Sequence, residues 1–186
     1  MTNKEFVAKL VLALNNKTLY VKGGFGAPAG YGNNRKRYID LYPYNRTIIK
    51  KPQILNASND TFFFDCVCLG KGILWGWKAD PTKIYGGASY GSNNVPDFTV
   101  EEVKKYCGKS YSTDFTSPLT MGEWLYKSGH IGYYIGDGNV IECTGADNGV
   151  ILSKFNPAKW VGHGKIQFIE YEESIICPYC GREFII

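Results

Sequence analysis

A chain of 186 residues, 44% apolar and 20% charged, has material for one ordinary domain with a real core, and it has neither the charge excess of disorder nor the cysteine density of a stapled secreted scaffold. Its net charge of +4 is spread along the sequence, and the one local cluster, Arg35-Lys36-Arg37 followed by Lys50-Lys51, lacks the density and the module of a nucleic-acid footprint, so no nucleic-acid partner is expected. No run approaches the ~20 apolar residues of a membrane helix, so no integral membrane segment is expected either. The N-terminal FVAKLVLAL is interrupted by Lys9 and followed by Asn15-Asn16, without the small-residue cleavage site of a signal peptide; the chain is expected to be synthesised in a cytoplasm, where six cysteines are thiols or metal ligands before they are disulfides.

Thr2-Asn3-Lys4-Glu5 spells a capping box, and Phe6, Val7, Leu10, Val11 and Leu14 recur at helical spacing, predicting an opening helix of about three turns. From Tyr20 to Asp60 the pattern fails. This stretch, rich in Gly, Pro, Asn and Tyr, reads as an ordered but irregular excursion, and loops of that length are commonly functional. Leu69, Ile73, Leu74 and Trp77 supply a second helical stripe beginning near Asp65, and TVEEVKKYC a short helix ending near Cys107. Beyond Thr120 the period changes to that of strands: EWLYK, HIGYYIG, NVIECT, GVILSKF and KIQFIEY. A helical first half followed by an antiparallel meander or partial barrel makes the expected class α+β.

The segment TFFFDCVCLGKGILWGW carries two cysteines one residue apart at the start of the second helix. A cysteine in a first turn faces unpaired backbone N–H groups and the positive end of the helix dipole, which lower its pKa and favour the nucleophilic thiolate. Cys66 is placed that way, although a buried small residue is the simpler account of the segment alone. Cys68 projects about 200° around the same helix and reads as core. Asp65 is a good N-cap. A thiolate nucleophile needs a base, most often histidine, and the chain has two: His163, between glycines in WVGHGK, reads as a turn residue, whereas His130 opens the strand HIGYYIG.

The thirteen residues HIGYYIGDGNVIE test whether Glu142 can orient His130. A two-residue Asp137-Gly138 turn pairs Gly136 with Asn139 and turns Glu142 away from His130, in among Ile131, Tyr133 and Ile135. A three-residue Gly136-Asp137-Gly138 loop pairs Ile135 with Asn139 and Gly132 with Glu142. Ile131, Tyr133, Ile135, Ile141 and Cys143 then share one face, and His130, Gly132, Tyr134 and Glu142 the other. The apolar pattern selects the second register, which makes His130 and Glu142 diagonal cross-strand neighbours with room left by Gly132.

With these residues in place, the chain resembles the NlpC/p-sixty family of bacterial and phage cell-wall cysteine peptidases. FDCVCLGKGILWGW is similar to the family's D-C-S-G-L nucleophile segment, and GHIGYYIGDGNVIE to its G-H-x-G-x-Y-x-G histidine strand with a third polar residue twelve positions on. The resemblance implies a papain-like fold over residues 1–172, followed by a short tail over 173–186. It also implies Cys66 as nucleophile, His130 as base and Glu142 as orienting residue. Tyr20 in YVKGG, similar to the family's Y-x-x-G-G, and Asp65 are implied as substrate-binding. The implied reaction is hydrolysis of an amide bond in peptidoglycan stem peptides without a cofactor, as in phage lysins that reach the wall after release. The alternatives are an amidase of the related CHAP type, whose choice of third residue the glutamate resembles, and a wall-binding module without turnover. The sequence departs from the family in having Val67-Cys68 after the nucleophile, residues 25–60 between Y-x-x-G-G and the nucleophile, and glutamate as third residue where histidine is more usual.

Cys177-Pro-Tyr-Cys180-Gly-Arg is a zinc-knuckle spelling, but closed sites need four ligands and no second C-x-x-C is present. Zinc at Cys177 and Cys180, in an interaction module or shared by a dimer, is a separate expectation; no metal is expected at the catalytic residues.

Overall fold

The computed structural model describes residues 1–145 and 149–172, and the backbone of 174–176 and 183–185; Cys177 and Cys180, with the zinc expectation they carry, lie outside the described residues. The architecture is α+β, as expected. Helix α1 (Asn3–Leu14) opens with the capping box: Glu5 N–H donates to Thr2 Oγ1 at 3.2 Å, and the Glu5 carboxylate accepts from Thr2 N–H at 2.9 Å. Phe6, Leu10 and Ala13 are its fully buried stripe.

Strands β1 (Thr18–Tyr20), β2 (Phe25–Pro28) and β3 (Phe62–Phe64) form a small mixed sheet with β3 in the middle, parallel to β1 and antiparallel to β2. The segment between β1 and β3, expected to be irregular, in fact holds β2 and two helices, α2 (Asn34–Leu41) and α3 (Lys50–Asn56). Neither helix carries a long apolar stripe. Each buries only one or two large apolar side chains, Tyr38 and Ile39 on α2 and Ile54 on α3, which together with Leu19, Val21, Ala27, Ala29 and Phe63 form a satellite core of their own. A pattern built on so few apolar positions is too weak to separate from loop. Asn45, fully buried, fastens this unit to the turn after β1: its Nδ2 donates to Lys22 O at 3.0 Å and Tyr38 O at 2.9 Å, and its Oδ1 accepts from Lys22 N–H at 2.9 Å.

Helix α4 (Cys66–Leu74) is buried along its whole length and packs between α1 and the large sheet. Its two interior glycines cost helix propensity, so packing must justify them. A Cβ on Gly70 would stand 2.6 Å from Trp124 and 2.7 Å from the Tyr133 ring, and one on Gly72 would stand 2.4 Å from the Phe25 carbonyl oxygen. The helix ends before Trp77, whose indole leaves the helical stripe and donates to Gly26 O at 3.2 Å. The short α5 (Val103–Cys107) ends where the sequence places the end but covers only the last five residues of TVEEVKKYC.

The second half is an antiparallel sheet, β4 (Trp124–Lys127), β5 (His130–Gly136), β6 (Asn139–Thr144), β7 (Gly149–Lys154) and β8 (Gly162–Gly164), in the order β7-β6-β5-β4-β8. No closed barrel forms among the described residues. Four strands match the reading from sequence. The last does not: the ladder uses Gly162–Gly164, and KIQFIEY instead forms turns that bury Ile166 and Ile169, a spacing of three that alternation obscured. Strands β9 (Ser174–Ile176) and β10 (Glu183–Ile185) pair only with each other among the described residues. No helix among the described residues is long and apolar enough to cross a membrane.

Candidate active site

Strand β3 runs straight into α4, so the chain turns sharply at Asp65 and presents Cys66 as the first helical residue. Asp65 caps the helix, its Oδ1 accepting from Cys68 N–H at 2.7 Å, while its Oδ2 accepts from Gly23 N–H at 2.7 Å. Both oxygens therefore hold the nucleophile turn against the Lys22-Gly23 turn, a positioning task within the protein. Tyr133 of β5 makes a second fastening: its hydroxyl donates to Cys66 O at 2.6 Å and accepts from Gly70 N–H at 2.8 Å. The phenol thereby inserts between a donor and an acceptor four residues apart, which an uninterrupted helix would pair directly. Sequence reading placed Tyr133 on the apolar face, where it lies, but not in this role; a tyrosine among aliphatic residues, whose hydroxyl needs a partner once buried, was the available signal.

On the sheet side, His130 and Glu142 meet. Nε2 of His130 lies 2.7 Å from Glu142 Oε2, and Ser153 Oγ on β7 donates to Glu142 Oε1 at 2.7 Å. Burial pushes the Glu142 carboxyl up, but the hydrogen bonds from His130 and Ser153 outweigh it and hold the group below the ordinary glutamate range. An ionised carboxylate can only accept, so Nε2 carries the proton, and in the neutral imidazole the lone pair falls on Nδ1. Trp160 stacks on the imidazole at 6.0 Å between centroids and 19° between planes. Gly132 makes room for it, since a Cβ there would fall 2.5 Å from the indole. Ser153 and Trp160 are site residues that sequence reading missed; both come from segments distant in sequence and carry no motif.

The hairpin that joins His130 to Glu142 combines the two registers weighed from sequence. Gly132 lies opposite Glu142, Tyr133 opposite Ile141 and Tyr134 opposite Val140, as the apolar pattern required, yet Gly136 pairs with Asn139 across a two-residue turn. Asp137 and Gly138, at φ 51° and 66°, supply the left-handed pair that such a turn demands, and Ile135 is the extra residue of a bulge. The expected pairing of Ile135 with Asn139 is therefore replaced, without disturbing the pairing of Gly132 with Glu142.

Cys66 Sγ lies 4.0 Å from the carbonyl oxygen of Gly129, the residue before His130, and the N–H of Ile131, the residue after it, also acts on the sulfur. The thiol thus abuts the strand segment that carries His130. Its ionisation differs from expectation. Burial pushes the Cys66 thiol up to about 11, and the Asp65 charge adds to this, while the N–H groups of Ile131 and Val67 and the Lys22 ammonium only partly oppose them. With the residue just 3% exposed, desolvation outweighs the helix N-terminus, and the resting group is a neutral thiol. Raising an acid's pKa keeps it protonated to higher pH. Iodoacetamide should therefore label Cys66 slowly near neutrality and ever faster through about pH 9 and beyond; a rate already at plateau below about pH 7 would show a preformed thiolate–imidazolium pair instead.

Tyr20, at the end of β1, is near enough for its ionisation to feel Cys66, and burial and that neighbour both raise its pKa. Cys68, read as core, is buried, but it also lines a cavity on the far side of α4. His163 is not a spare base: Nδ1 meets the Glu123 carboxylate and Nε2 the Asp114 carbonyl at 2.9 Å, so both ring nitrogens are engaged in a buried tie between β8, β4 and the loop before them. No group of three or more metal-ligating side chains occurs among the described residues. Comparison with models of known protein families gives no match, and comparison with curated protein sequences gives none either.

Proposed function

We propose that this protein is a cysteine hydrolase with a papain-like arrangement, cleaving an amide bond in peptidoglycan stem peptides. The observation that carries the reading is the state of His130: Glu142 holds one ring nitrogen at 2.7 Å, leaving the other for a thiol proton, on a strand whose flanking backbone touches Cys66 Sγ. Cys66 attacks the carbonyl as Nδ1 takes its proton; the same proton passes to the leaving amine, and water releases the acyl group from the thioester. Because the thiol is neutral at rest, His130 acts as a general base during attack. The N–H groups of the first turn of α4, Cys66 and Val67, are the donors available to the developing oxyanion. Tyr20 borders the approach of the substrate, whereas Asp65 acts by holding the nucleophile turn, and a lysin acting on the wall after release fits the mild positive charge.

The test is incubation of purified bacterial cell walls with the protein and with Cys66→Ser, followed by mass analysis of the soluble fragments. Release by the parent protein alone supports the reading, and the fragment masses distinguish a bond within the stem peptide from the sugar–peptide bond of an amidase. Equal release by both proteins, or by neither, removes it. The near-complete enclosure of Cys66 favours one competing reading, a wall-binding module without turnover, for which co-sedimentation with walls and no fragment release is the expected outcome.

A further inference from the structure

The unit between β1 and β3 carries a surface that the hydrolytic residues do not use. Residues 34–56 hold six basic side chains and one acid, Asp40, so this stretch alone has a surplus of five positive charges where the whole chain has four. That acid is already paired, with Lys36. The same stretch concentrates exposed hydrocarbon. Of the eleven large apolar side chains exposed among the described residues, five lie within 41–55: Leu41, Tyr44, Ile48, Ile49 and Leu55. Scattered singly, such side chains need no explanation; gathered into one segment, they mark a contact surface.

Its most exposed part is the turn into α3. Lys51 N–H donates to Thr47 O at 3.0 Å, so the helical path already runs through Ile48 and Ile49. Ile48, Pro52 and Leu55 then stand at helical spacing on the outward side, while Lys50 and Ile54 are buried on the inward side. Ile48 is 91% exposed and Ile49 67%, so neither contributes much to the stability of the fold. Arg46 and Lys51, exposed on either side of them, have no carboxylate partner among the described residues; the Arg46 guanidinium donates instead to the backbone oxygens of Ile39 and Asp40.

This chemistry selects the occupant. A second copy of the chain would bring two surfaces of like charge together, and a soluble polyanion would satisfy the cations but leave the isoleucines in water. An anionic lipid surface answers both, its headgroups meeting Arg46 and Lys51 while the isoleucines enter the acyl boundary. We propose that the turn from Arg46 to Lys51, with Leu55, docks the protein on an anionic membrane surface, lying in the interface without crossing it. Tyr44 packs edge-on against Tyr20 at 5.8 Å between centroids, and Lys50 Nζ donates to Gly145 O at 3.3 Å. The docking unit is therefore fastened beside Tyr20, itself a neighbour of Cys66, and docking fixes how that side of the protein is turned relative to the lipid. Binding of this kind needs no turnover and stands apart from the hydrolytic reading.

The test is co-sedimentation of the full chain with vesicles of phosphatidylcholine alone and of phosphatidylcholine with about one third phosphatidylglycerol. Binding to the anionic vesicles, and far less to the neutral ones, is expected. Partition should weaken about tenfold or more in Ile48→Asn/Ile49→Asn and about fivefold in Lys51→Gln. No binding to anionic vesicles, equal binding to both compositions, or undiminished binding of the isoleucine double variant overturns the proposal; the last of these, matched by equal binding of both proteins to soluble teichoic acid, assigns the cations to a wall polymer instead. A concentration-dependent dimer that the double variant abolishes, without vesicle binding, assigns the surface to a second copy. Insertion is read separately with brominated lipid chains, which should quench Ile48→Trp beyond the parent protein but add nothing at Val161→Trp, an exposed position beside β8 at one edge of the large sheet. Equal added quenching at both positions, or none at either, also overturns the docking. Circular dichroism of each variant checks folding, and if the double variant unfolds, Ile48→Ser alone carries the comparison.

Discussion

Replacing His130 with alanine is expected to slow wall-fragment release by about a thousandfold, the usual scale for loss of a general base. The neutral resting state of Cys66 makes the dependence strong: with the thiol pushed up to about 11, almost no thiolate is present at neutral pH to react without help. Glu142→Gln should be milder, about ten- to a hundredfold, because the amide oxygen can still accept from Nε2–H and keep the lone pair on Nδ1, while the charge that stabilises the imidazolium is gone. Initial rates of fragment release, measured for both variants, check the pair. An alanine variant that retained more than about a tenth of parent activity would remove His130 from the mechanism.

Gly70→Ala carries the largest expected effect on stability, and its sign runs against helix propensity. Alanine in a helix interior normally gains about 1 kcal/mol over glycine. Here the added methyl would sit 2.6 Å from Trp124 and 2.7 Å from Tyr133, two fully buried rings that cannot swing aside without displacing Phe6 and Phe98, which pack on them. Overpacking of this kind costs about 1–3 kcal/mol and should outweigh the gain, for a net loss of about 1 kcal/mol, read as a lower urea midpoint at unchanged slope. The same displacement pushes α4 away from β5 and strains the Tyr133 bridge, so activity should fall further than the population of folded protein does. A midpoint equal to or above the parent's would refute the close packing.

How far the sequence could be read depended on how regular each element is. Helix α1 and strands β4 to β7 carry strong period signals and were legible, and so was the meeting of His130 and Glu142, because an apolar face leaves few registers to choose from. Where the chain holds its shape through single polar clamps, the pattern was silent. Asn45, buried and bonded to Lys22 and Tyr38, gives order to a stretch whose composition reads as loop. The acid–base state of Cys66 was misread for a related reason: helix position is visible in sequence, whereas enclosure by distant segments is not, and enclosure dominates. Ser153 and Trp160 complete the setting of the imidazole from two further segments, and only the folded sheet brings them there.

The bulge at Ile135 has a consequence for how this hairpin tolerates changes of length. It stores the odd residue next to the turn, so a chain lacking Ile135 would close into an ordinary ladder with Gly132 still opposite Glu142. Losing one residue between His130 and Tyr134 would do the reverse and swing the imidazole to the oily side of the sheet. Deletions a few positions apart in one strand should thus divide sharply into silent and ruinous, and the boundary between them runs through Tyr134.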